Sequence, residues 1–87
     1  MLTHSAKLHE VDRQLVPSTS IRSIGYDQSS SALEIEFHDS GAYRYFDVPE
    51  FLYQGLLLAK SKGSFFNRRL AGRYRFERLS DQDRPSR

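Results

Sequence analysis

Cysteine is absent from this chain, and so is tryptophan. Without cysteine there are no disulfides, no thiolate nucleophile and no cysteine-based metal site, which fits a reducing, cytoplasmic compartment. No apolar run approaches the roughly 18 residues of a membrane span. The opening stretch "MLTHSAKLHEVDRQLVPSTS" has no apolar stretch of the signal-peptide kind. Length is also scarce: with 87 residues the chain has room for one small domain, which buries only about 60% of its unfolded surface. That leaves little volume for a deep catalytic cleft.

What the chain does hold is aromatic: five Tyr and six Phe, rings large enough to fill a small core. Charge is nearly balanced at +2 but unevenly placed. Lys60, Lys62, Arg68, Arg69, Arg73, Arg75 and Arg78 face a single acid, Glu77, so this segment carries +6 while the rest carries −4. Ten of the thirteen basic residues are Arg, whose planar fork suits phosphate and stacks on rings. A polyanion is the partner such asymmetry suggests, with a solvated basic face as the alternative.

Pattern divides the chain into an arm (residues 1–18) closed by Pro17, a folded unit (19–79) and a polar tail (80–87). The arm is weakly periodic, with a helical turn expected near Leu8 to Leu15, and the tail is expected to be disordered. In "ALEIEF", Leu33, Ile35 and Phe37 alternate with Glu34 and Glu36, which predicts a strand with one buried face. "SIRSIGYD" and "AYRYF" alternate likewise, with Ile21 out of phase and marking a bulge. The punctuation "QSSS" and "DSG" makes these three strands a meander. A loop at Asp39-Ser40-Gly41 pairs Phe37 with Tyr43, Ile35 with Tyr45 and Glu36 with Arg44. A two-residue loop would instead set His38 against Tyr43 and Phe37 against Arg44, turning the apolar face outward. The first register sends both tyrosines inward and Arg44 outward. On the other side of the strand, Tyr26 opposes Leu33 and Ile24 opposes Ile35.

At "DVPEFLYQGLLLAKSKG" the period becomes helical. Pro49 opens the helix, Gly63 ends it, and Val48, Leu52, Leu56 and Ala59 form an apolar stripe widened by Phe51, Gly55 and Leu58. Gly55 implies close approach of the helix to the sheet. Ser64 then caps a short helix, "SFFNRRL", and "RYRFERL" reads as a fourth strand. The fold class is α+β: an antiparallel meander of three strands and a fourth, covered on one face by a helix from Pro49 to Lys60 and a short second helix.

Chemistry that needs a positioned site is missing. His4, His9 and His38 lack metal-ligand spacing, and no metal or other cofactor is expected. Glu34 and Glu36 share a strand face but oppose Arg44, which makes an ion network rather than an acid–base pair. Ser29 to Ser31 have no base beside them, so no enzyme is expected. The segment "KSKGSFFNRRLAGRYRF" combines cations with rings. Arg44, Lys60, Lys62, Arg68, Arg69, Arg73 and Arg75 are the candidate contacts to an RNA or DNA backbone, with Phe or Tyr stacking on bases. For each of Phe65, Phe66, Tyr74 and Phe76 taken singly, a core or docking position with the arginines left outside is the better reading. A homodimer or other protein partner is the rival reading, because so small a core leaves apolar surface and strand edges uncovered.

The order of motifs resembles the KTSC domain, over about Ser18 to Phe76. The residues that carry the likeness are "STSIRSIGYD", Tyr43 and Tyr45 in "LEIEFHDSGAYRYFDVP", Val48-Pro49, and Ala59, Ser61, Gly63, Phe66 and Asn67 in "FLYQGLLLAKSKGSFFNRRL". That family is named for its place at the C-terminus of some lysyl-tRNA synthetases and also occurs alone in small bacterial proteins. The resemblance implies no catalytic residues; through the synthetase attachment it implies an RNA partner.

Overall fold

Alternation translates directly into strands in the computed structural model, which describes residues 11–79. Strands β1 (Arg13–Leu15), β2 (Ile21–Asp27), β3 (Ala32–Phe37), β4 (Gly41–Tyr45) and β5 (Phe76–Arg78) form one antiparallel sheet in chain order. Helices α1 (Glu50–Leu58) and α2 (Lys62–Arg69) lie between β4 and β5. The α+β expectation holds, with one strand more than the pattern supplied.

The added strand is β1, which runs along β2 where a loose arm with a helical turn was expected. Three residues are too few to show a period, and "RQL" has no apolar alternation to reveal it. Gly25 makes the pairing possible. A Cβ at this position would lie 2.4 Å from the Asp12 carbonyl oxygen and 2.9 Å from side-chain carbons of Val11 and Arg13. Residues 1–10, which hold the start of that expected turn, and the tail 80–87 lie outside the described residues.

Between β2 and β3, Ile24 faces Ile35 and Tyr26 faces Leu33 as expected, and the register shifts between Ile21 and Ser23. This bulge turns the out-of-phase Ile21 into the core, where it is fully buried. Between β3 and β4 the expected register is off by two residues. Gly41 pairs with Phe37, so Ile35 faces Tyr43, Leu33 faces Tyr45 and Glu34, not Glu36, faces Arg44. The loop is therefore His38-Asp39-Ser40, and Gly41, at φ 96°, opens β4 rather than ending the loop. A shift of two preserves the alternation, which is why both tyrosines still face inward.

The core joins Ile21, Ile24, Leu33, Ile35 and Tyr45 of the sheet to Val48, Leu52 and Leu56 of α1 and its approach, and to Leu70 beyond α2. Phe51 and Leu58, expected to widen the buried stripe, are 65% and 84% exposed instead. The helical segment also divides earlier than its spacing suggested. Backbone at Ala59 is extended, ending α1 at Leu58. Ser61 rather than Ser64 caps α2, its hydroxyl accepting from the Ser64 N–H at 3.3 Å. Gly63 lies within α2, where a Cβ would be 2.7 Å from the Ser20 hydroxyl. The close approach at Gly55 is to the ring of Phe65 on α2, not to the sheet. Tyr53 of α1 stacks on Tyr26 of β2, while Phe66 of α2 meets Phe37 of β3 and Tyr45 of β4. The helices thus reach β2, β3 and β4 on the inner face.

Candidate nucleic-acid interface

The outer face of the sheet is a charge ladder. Arg44 donates from Nε (3.0 Å) and Nη2 (2.8 Å) to Glu34 and from Nη1 to Glu77 (3.0 Å). Arg13 approaches the other Glu34 oxygen at 3.5 Å. Beside this row, Arg22 lies 3.7 Å from Glu36, which also accepts from the Ser23 hydroxyl. Glu34 is only 3% exposed, so its charge depends on these arginines. Arg44, expected to face outward as a candidate contact to a nucleic-acid backbone, is instead held half-buried between two carboxylates. Strand pairing explains this, since Glu34, Arg44 and Glu77 are direct cross-strand neighbours.

Lys62 also leaves the candidate set. It is 7% exposed, and its ammonium donates to the carbonyls of Leu57 (2.9 Å) and Ala59 (2.8 Å). A cation at a helix C-terminus satisfies the last carbonyls and the negative end of the helix dipole. Lys62 therefore stops α1 and is not available to phosphate. A charged side chain read only by its sign gave no hint of this role.

The other candidates are exposed. Arg68 and Arg69 sit in the last turn of α2, Arg73 in the turn that follows, and Arg75 just before β5. Lys60 stands before the start of α2, while Arg68 and Arg69 close that eight-residue helix, which is about 12 Å long. Arg69 lies over the Phe65 ring at 5.6 Å and Arg75 over the Phe46 ring at 4.6 Å. Such contacts hold a guanidinium flat on an aromatic face. Arg78, counted in the basic segment but not singled out, lies over the Tyr43 ring at 5.8 Å.

Sequence reading also missed how the rings assemble. Phe37, Tyr43, Phe76, Tyr45 and Phe66 make a closed circuit, with successive centroids 5.9, 5.8, 5.5, 5.6 and 5.2 Å apart, ending back at Phe37. Tyr45 is buried, and burial, helped by the neighbouring Tyr43, pushes its hydroxyl up to about 12. Phe76 is 55% exposed. The signal available was the alternation of Tyr74, Phe76 and Arg78, but it placed Phe76 only on a side, not beside Tyr43. Among the described residues no group of three potential metal ligands converges, and His38 instead meets the Ser18 carbonyl at 3.0 Å. His4 and His9 lie outside the described residues. No described helix is long and apolar enough to cross a membrane.

Two short helices over the inner face of a five-stranded antiparallel sheet define a small α+β domain, and this architecture has relatives. The KTSC domain family matches residues 17–74, and the chain belongs to that family. A crystal structure of a KTSC domain protein from Yersinia pestis superposes with a TM-score of 0.79 at 39% identity, covering 82% of this chain and 100% of that one. A lysine–tRNA ligase of Nostoc punctiforme is 39% identical over 83 residues, 92% of this chain. The chain spans 15% of that ligase's length. A protein of Stutzerimonas stutzeri is 46% identical over 55 residues, 63% of this chain and 78% of its own length.

Proposed function

We propose that this KTSC-domain protein is a non-enzymatic nucleic-acid-binding module of the cytoplasm, with RNA preferred over DNA. The observation that carries this reading is the exposed arginine set Arg68, Arg69, Arg73 and Arg75, two of them lying on aromatic rings. The one acid in the stretch, Glu77, is bound to Arg44 and does not neutralise them. Lys60 adds a further exposed cation at the other end of α2. The ligase relatives lend support, since a domain of this kind forms part of a protein named for tRNA. Titration with RNA and DNA oligonucleotides at several salt concentrations tests the reading. Each phosphate contact steepens the fall of log K with log salt by about 0.7 for single strands and 0.9 for duplex DNA. Absence of binding at low salt contradicts it.

A protein-interaction module is the second reading, favoured by Phe51 and Leu58 on the outward side of α1 and by Leu15 on the β1 edge, all more than half exposed. Sedimentation across a concentration series distinguishes the two. A concentration-dependent dimer without RNA affinity supports this alternative.

A further inference from the structure

Phe51 and Leu58 stand two turns apart on α1, about 10 Å along its axis and within about 20° of one line. Both are left mostly in water. Gly55, one turn from each, leaves room for the tip of the Phe65 ring, whose Cζ would lie 2.8 Å from a Cβ there. Phe51, Phe65 and Leu58 thus make one apolar strip along the helical layer, and an exposed strip of this kind marks a place where something binds. Its two ends carry opposite charge. Asp47 and Glu50 stand at the start of α1, and the exposed Lys60 follows its end. Glu50 accepts from two uncharged amides, Gln28 at 2.7 Å and Gln54 at 3.2 Å, which leave its charge in place.

Reversed, this pattern is the same with its charges exchanged. Phe51 and Leu58 are equidistant from the Gln54–Gly55 step, and Glu50 and Lys60 are equidistant from Gly55. A polyanion or an anionic membrane laid along the strip would meet the acidic end unfavourably. A second copy laid parallel would set Glu50 against Glu50 and Lys60 against Lys60. A second copy laid antiparallel sets Phe51 against Leu58 and Glu50 beside Lys60, and does so twice. We infer that the chain forms a two-fold symmetric dimer, with α1 packed antiparallel on α1 of a second copy. Such a contact is isologous and closes on itself. This rests on the self-associating reading above and gives it a surface and a symmetry. The strip holds none of the four arginines that carry the nucleic-acid reading. A nine-residue helix offers less than the roughly 1,200–2,000 Å² of a stable interface, so the dimer forms only as concentration rises.

Sedimentation of the full chain over a concentration series is expected to show a monomer–dimer equilibrium. Leu58→Ser removes an apolar contact twice over without touching the core, and is expected to weaken dimerisation by roughly ten-fold or more. Thermal unfolding at low concentration, where the chain is monomeric, is expected to be unchanged by it. Orientation is read by disulfide trapping, because the chain has no cysteine of its own. Phe51→Cys mixed with Leu58→Cys is expected to give the mixed disulfide well above its statistical share. An antiparallel pair brings these two positions together and keeps the two copies of either one about 10 Å apart. That exceeds the roughly 4.4–6.8 Å between Cα atoms that a disulfide spans. Dimerisation that Leu58→Ser leaves untouched, or disulfides in statistical proportion, overturns this surface while self-association stands. No dimer at any concentration overturns both.

Discussion

The ammonium of Lys62 lies 2.9 Å from the carbonyl oxygen of Leu57, buried where α1 gives way to α2. With the Ala59 carbonyl as a second acceptor, it fixes the bend that turns Phe65 onto α1 and Phe66 over the sheet. Lys62→Met removes both hydrogen bonds and leaves buried carbonyls without a partner, at a cost of about 1–3 kcal/mol. Thermal or urea unfolding measures the loss. Lys60→Gln, two residues away but exposed, is expected to leave stability unchanged and to reduce the salt dependence of RNA binding.

Glu34 is the keystone of the outer face. Glu34→Ala strands Arg44 and Arg13, whose Nη1 is already buried without a hydrogen-bond partner. Breaking a buried pair costs about 3–5 kcal/mol, and the lower end applies because Arg44 retains some solvent and Glu77. A double-mutant cycle with Arg44→Ala is expected to give a coupling well above that of an exposed pair, roughly 0–1 kcal/mol. Additive effects would contradict the buried ladder.

Gly25→Ala forces a methyl group against the Asp12 carbonyl and the Arg13 side chain. The backbone of the 11–13 segment must shift, loosening β1 from β2. Expected outcomes are a loss of roughly 1–3 kcal/mol and faster amide exchange in β1, with β3 and β4 unaffected. Unchanged exchange at Gln14 would contradict the close approach.

Tyr45 gives an alkaline signature. Its folded-state value, raised from 10 to about 12 by burial and by Tyr43, exceeds the unfolded one. The unfolded chain therefore loses this proton first as pH rises. The stabilisation is complete below pH 10 and declines as pH climbs towards about 12. Phenolate absorbance should show one tyrosine titrating late, and Tyr45→Phe should remove that step. Tyrosines that all titrate near 10 would contradict the buried floor of the aromatic circuit.

Alternation made β2, β3 and β4 legible, because Leu33, Ile35 and Phe37 fix a face irrespective of partner. Their exact alignment was less so: Gly41 can close a loop or open a strand, and both choices keep Tyr43 and Tyr45 inward. Strand β1 was hidden because its pairing depends on a missing side chain at Gly25, not on a pattern in "RQL". The ends of the helices were set by tertiary partners, Ser20 packing on Gly63 and Lys62 reaching back to Leu57. For the candidate interface, composition located the arginine-rich segment but treated its cations alike. Burial separates Lys62 from Lys60, and cross-strand pairing separates Arg44 from Arg78. Neither difference is written in residue type.

The account stands most directly on the salt dependence of RNA affinity in the unmodified chain and in an Arg68→Gln/Arg69→Gln variant. Single-strand affinity is predicted to fall linearly with log salt, and the variant's slope to be shallower by about 1.4, two contacts of ~0.7 each. No measurable binding at low salt, or a slope that the two substitutions leave unchanged, would contradict the assignment of this basic surface to nucleic acid.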